Sequence, residues 1–68
     1  MYKDKHYNKC KSGSFPRYEG QSKKGKAHGE GLHCIKKDEY YSGQFKNGIY
    51  EGIGYYFFSN GNKYFGEF

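Results

Sequence analysis

A spacing of 23 residues governs most of this chain. Tyr18, Tyr41 and Tyr64 stand 23 apart, and so do Gly20, Gly43 and Gly66. Gly25 pairs with Gly48 at the same step, Gly29 with Gly52, Gly31 with Gly54, Gln21 with Gln44, and Phe45 with Phe68. Nine of the eleven glycines fall in these pairs, which composition alone does not produce; the sequence is an internal repeat. Its units are 18–40 and 41–63, with a third begun at 64–68, and residues 1–17 stand apart as a basic arm or degenerate cap. Within that arm, KSGS (11–14) has the look of the closing turn of an earlier, degraded unit.

Each part of the unit has a physical assignment. YSGQF (41–45) alternates Tyr41, Gly43 and Phe45 on one side with Ser42 and Gln44 on the other, which is strand periodicity. KNG (46–48) and SNG (59–61) carry the Asn-Gly pair of hairpin turns, where positive φ is needed. Between them, GIGYYFF (52–58) places Gly52, Gly54, Tyr56 and Phe58 on the side of Tyr41. A large ring needs a flat place to lie, and a neighbouring strand without Cβ atoms supplies one. Asp38 stands where Gly61 stands in the next unit, so the first closing turn is expected to be irregular or longer. The expected fold class is all-β, an antiparallel meander of stacked β-hairpins in an elongated single-layer repeat sheet.

The totals agree. Nine Tyr, six Phe and eleven Gly in 68 residues, with one proline and no Trp, favour pleated strands joined by tight turns. So short a chain makes one small domain with a marginal core. The N-terminus carries charge without an apolar run, and nothing approaches the length of a membrane span, so a soluble, cytoplasmic protein is expected. Cys10 and Cys34 are too few for a disulfide framework; the expectation is two reduced thiols, with a single bridge as the alternative.

The pattern Y-x-G-x-F-x-x-G-x-x-x-G-x-G resembles the MORN repeat (membrane occupation and recognition nexus). The second unit carries Tyr41, Gly43, Phe45, Gly48, Gly52, Gly54, Tyr56, Phe58 and Gly61; the first keeps Tyr18, Gly20, Gly25, Gly29 and Gly31. The first unit departs at Ser22, His33, Ile35 and Asp38. The resemblance implies an extended, twisted sheet with one aromatic groove, used for scaffolding or attachment, and a repeat that is not itself catalytic.

Catalytic and ligand chemistry finds little purchase. The acids Asp4, Glu19, Glu30, Asp38, Glu39, Glu51 and Glu67 show no pairing that recurs with the repeat, and read as solvated surface. His6, Cys10, His28, His33 and Cys34 lack metal-ligand spacing, and His33 reads as a packing residue on the glycine side. GEG and GIG lack the third glycine and the helix of a dinucleotide loop. No enzyme, metal, cofactor or small-molecule substrate is expected.

Binding is left. The first expectation is a groove of Tyr18, Tyr41, Phe45, Tyr56, Phe58 and Tyr64 that takes a peptide or amphipathic helix of a protein partner. Its plain counterpart is that these rings are the core, which suits Tyr41 and Phe58 best. The second is attachment to an anionic, phosphoinositide-containing membrane through Lys3, Lys5, Lys9, Lys11, Arg17, Lys23, Lys24 and Lys26. Residues 1–26 hold these eight cations against two acids, whereas residues 27–68 hold four against five. Such a chain would sit peripherally at a membrane or cytoskeletal structure. Nucleic acid is the weakest reading, because charge and rings are separated along the chain.

Two points stay open. YFGEF (64–68) is an edge strand, and continuation of the array, pairing with a second copy, or capping by residues 1–17 would each satisfy it. The side opposite the glycines also carries bulk, in Leu32, Cys34, Ile53, Tyr55 and Phe57. Lysine stems and the N-terminal arm, or else a helix, another chain or lipid, would cover it.

Overall fold

The computed structural model describes residues 10–68. Five strands form one open antiparallel sheet in chain order: β1 (Arg17–Lys23), β2 (Lys26–Lys36), β3 (Glu39–Lys46), β4 (Ile49–Phe57) and β5 (Lys63–Glu67). Each neighbouring pair is a hairpin, so the sequence repeat becomes a meander.

The turns follow local chemistry. Lys24-Gly25 and Asn47-Gly48 close β1–β2 and β3–β4 as two-residue loops with both residues at positive φ. That geometry matches the twist of the flanking strands, and the glycine takes its second position without a Cβ cost. Lys36 pairs with Glu39, so two residues close β2–β3 beside a register shift between Cys34 and Lys36, whereas five residues lie between paired Phe57 and Lys63. The first closing turn is irregular, as the sequence suggests, and not longer. Asp38 itself adopts φ 63° where Gly61 has 98°, a conformation that Asp tolerates better than most residues. SNG closes no two-residue turn; among its residues only Gly61 has positive φ, inside the five-residue loop.

Cross-strand register sorts the side chains onto two faces. One face bears the row Tyr18–His33–Tyr41–Tyr56–Tyr64 beside the row Gly20–Gly31–Gly43–Gly54–Gly66. The opposite face bears Cys34–Tyr40–Phe57 and Leu32–Ser42–Tyr55–Phe65. On that second face Cys10, Leu32, Cys34 and Tyr40 are buried together, with Phe15 and Phe57 packed against them.

Cys10 and Cys34 form a disulfide, which corrects the expectation of two reduced thiols. Burial of the pair against Leu32 and Tyr40 places both sulfurs in one apolar cluster. Asp38 N–H donates to the Cys10 carbonyl at 2.8 Å, and Lys11 Nζ lies 3.7 Å from Asp38 Oδ1. Cys10 and Phe15 thus cover the β2–β3 part of the second face. Further along that face, Ile53 and Phe65 are exposed, at 45% and 67%.

Candidate functional site

The glycine face is built from a motif repeated along the sheet. Tyr18 and Tyr41 lie across Gly31 and Gly54 so closely that a Cβ at either glycine would overlap the ring. Each tyrosine hydroxyl donates to a carbonyl three residues on in its own strand: Tyr18 to Gln21, Tyr41 to Gln44 at 2.7 Å, and Tyr64 to Glu67 at 3.0 Å. The rings therefore lie flat along the sheet, fixed at both ends.

Gln21 and Gln44 sit at two β-bulges, where the ladder skips between Gly20 and Ser22 and between Gly43 and Phe45. A bulge leaves a main-chain donor of the partner strand without its carbonyl. Gln21 Oε1 accepts the Glu30 N–H at 2.8 Å, and Gln44 Oε1 accepts the Ile53 N–H at 2.8 Å. The same two side chains fill the space over Gly29 and Gly52, both at positive φ. The Gly52 space is thus taken by a glutamine and not, as the sequence suggests, by a ring.

The sequence-predicted groove residues all lie on this face, at different depths. Tyr41 is 0% exposed and Phe45 is buried, so both are floor. Tyr18 and Tyr56 are half-buried. Phe58, taken from sequence as core, is 40% exposed, and Tyr64 is 48% exposed. Phe58 lies in the loop beyond β4, where the Tyr56 ring packs on it, 4.6 Å away between centroids.

Two rings escaped the sequence reading. Tyr50 stacks on Tyr41 at 4.0 Å and 14°, and Phe68 stands edge-on to Tyr41 at 4.8 Å and to Tyr64 at 5.2 Å. Alternation back from Gly52 would have found Tyr50; its counterpart one unit earlier is Ala27, so the repeat frame hides it. Phe68 is the frame partner of Phe45, and its ring completes an edge-to-face array around Tyr41.

Polar contacts tune the face. The Tyr50 hydroxyl lies 2.7 Å from His33 Nδ1, and burial pushes the His33 imidazole below its ordinary value. Tyr56 donates to Glu39 Oε2 at 2.8 Å, while Glu39 Oε1 accepts the Ser59 N–H at 3.2 Å. The Tyr56 hydrogen bond holds the Glu39 carboxyl below its usual range, although burial opposes this. Burial, and then Glu39, push the Tyr56 phenol far up. Burial also raises Tyr18, Tyr41 and Tyr50, so these phenols stay protonated donors at neutral pH. Glu39 is therefore a clamp between β3 and the β4–β5 loop, not solvated surface.

Among the described residues the basic set does not gather at one place. Lys3, Lys5 and Lys9 lie outside the described residues. Lys11 neighbours Asp38, and Arg17 bonds to Glu19 and to the Ser12 and Ser14 carbonyls. Lys23, Lys24 and Lys26 are exposed around the β1–β2 turn, and exposed Lys46 enters the neighbouring β3–β4 turn. The Gly48 N–H donates to the Ala27 carbonyl at 2.9 Å and ties these two turns side by side. The disulfide removes both cysteines as metal ligands, and among the described residues no group of three or more His, Cys, Asp or Glu is placed to hold a metal.

No solved structure matches this chain. The MORN-repeat family model matches residues 18–33 and 41–63, which are the stretches that build β1, most of β2, and β3 to the start of β5. The glycine-floored tyrosine rows lie within those stretches as far as Tyr56 and Gly54, with Tyr64 and Gly66 just beyond them, and the chain belongs to the MORN-repeat family.

Proposed function

We propose that this chain is a non-catalytic interaction module whose glycine face receives a segment of a protein partner. The observation that carries this is the gradient of depth along one rigid surface. Tyr41 and Phe45 are sealed as floor, while Phe58, Tyr64 and Phe68 present rings at 38–48% exposure above it. Rings of this kind give large contact area with little entropy lost on binding. A peptide or amphipathic helix with apolar anchors suits such a surface. The test is capture of a candidate partner by the wild-type chain and by Phe58→Ala and Tyr64→Ala variants. Loss of capture with an unchanged urea midpoint supports the groove; capture retained by both variants sinks it.

A second reading rests on the paired turns. Lys23, Lys24, Lys26 and Lys46 project at one end of the sheet, and clustered lysines near an anionic surface contribute about 1 kcal/mol each. Co-sedimentation with phosphoinositide vesicles at low and high salt, beside neutral vesicles, tests it. Binding that is lost at high salt and in a Lys23→Glu/Lys24→Glu/Lys26→Glu variant supports peripheral membrane attachment. Indifference to lipid at both salts leaves the aromatic face alone.

A further inference from the structure

The outer edge of β5 repeats, with glutamate in place of glutamine, the edge on which β1 receives β2 and β3 receives β4. In both internal cases the receiving strand supplies a tyrosine, a glycine two residues on, and a glutamine after it. The arriving strand supplies Gly-x-Gly: Gly29-Glu30-Gly31 on β1, and Gly52-Ile53-Gly54 on β3. Its first glycine lies under the glutamine side chain at positive φ, and its second under the tyrosine ring. The main-chain N–H between them donates to the glutamine Oε1 at 2.8 Å in both.

β5 has the same three parts already set. Tyr64 donates to the Glu67 carbonyl as Tyr18 and Tyr41 donate to Gln21 and Gln44. Gly66 continues the glycine row, paired to Gly54 on its inner side. Glu67 occupies the glutamine position and offers a carboxylate oxygen, a stronger acceptor for an amide N–H. Phe68 and Gly52 exchange both main-chain hydrogen bonds, so by antiparallel alternation Lys63, Phe65 and Glu67 turn their main-chain groups outward. Among the described residues no strand pairs with that edge. Tyr64 is 48% exposed there, whereas Tyr41, which has received its strand, is fully buried.

We infer that the β5 edge is a binding site for an extended protein segment bearing Gly-x-Gly, which adds antiparallel as a sixth strand. The inference does not depend on the groove reading, because it concerns the edge and not the face. Its selectivity is steric: a side chain in place of the second glycine meets the Tyr64 ring, and one in place of the first meets Glu67.

The experiment uses the full chain, uniformly labelled for amide NMR, titrated with a synthetic peptide of residues 26–36 carrying Cys34→Ser. Saturable shifts centred on Lys63, Phe65 and Glu67 are expected. Peptides with Gly29→Ala or Gly31→Ala should bind about tenfold more weakly or not at all. On the protein side, Glu67→Ala should weaken binding and Glu67→Gln should keep it, because glutamine does this work at the two internal sites. Equal binding of the alanine peptides, no binding of any peptide, or shifts confined to β1–β3 overturns the inference. So does a dimer through β5 that forms without peptide and excludes it, because the occupant is then a second copy.

Discussion

Tyr41 lies across Gly54 of the next strand with no room for a methyl group between them, while its hydroxyl donates to the Gln44 carbonyl beyond the bulge at 2.7 Å. A ring bonded at its tip and packed on Tyr50 and Phe45 along its body cannot swing aside cheaply. Gly54→Ala should therefore destabilise the fold by about 2–3 kcal/mol through overpacking. Gly48→Ala meets open space and costs only its left-handed φ of 87°, about 1 kcal/mol. Urea unfolding of both variants measures the difference; equal midpoints would remove the ring-over-glycine account.

Gln44 replaces a missing ladder acceptor, so Gln44→Ala should cost about 1 kcal/mol by stranding the Ile53 N–H. Gln44→Glu keeps the acceptor and should stay near wild type. Amide hydrogen exchange at Ile53 reads the same bond directly, and should speed up in the alanine variant only.

The Cys10–Cys34 bridge closes a loop across a separation of 24 residues and holds Cys10 and Phe15 over Leu32 and Tyr40. Reduction should lower stability by about 3 kcal/mol, in the chain-entropy account of cross-links. Thermal melts with and without a dithiol reductant report the shift, and thiol titration of the native chain should find none free. Two titratable thiols in the native protein would refute the bridge.

Acid should weaken the fold through His33 and Glu39. Both have folded-state values below their ordinary ones, so the unfolded chain binds the extra protons first. Their contribution is intact above about pH 7 and is lost as pH falls, first past the ordinary histidine value of about 6.5 and then past the ordinary glutamate range. Tyr56→Phe removes the main support of the ionised Glu39, so the lower part of that slope should flatten in urea midpoints taken across pH.

Alkali acts with the opposite sign. Tyr41, Tyr50 and Tyr56 have raised phenols, so their contribution is whole below about pH 10 and declines as the unfolded chain ionises first. Absorbance titration should show tyrosinate forming together with unfolding; free ionisation of all nine tyrosines in a folded chain would contradict it.

The sequence by itself determined the strands, the Asn47-Gly48 hairpin and the tyrosine and glycine rows. These depend on local backbone preference and a period of 23, and both are written in the order of residues. It also placed Leu32 and Cys34 on a bulky second face, because alternation along a strand is a local property. Only the tertiary structure decided what meets across strands. Gln21 and Gln44 looked like outward polar residues until register put each opposite a bulge. Phe58 is exposed because it lies in the β4–β5 loop, beyond the paired residues of β4. Glu39 became a clamp, and Cys10 found Cys34, through contacts between segments 20 and 24 residues apart. Such pairings depend on the register and twist of the whole sheet, and no window of sequence contains them.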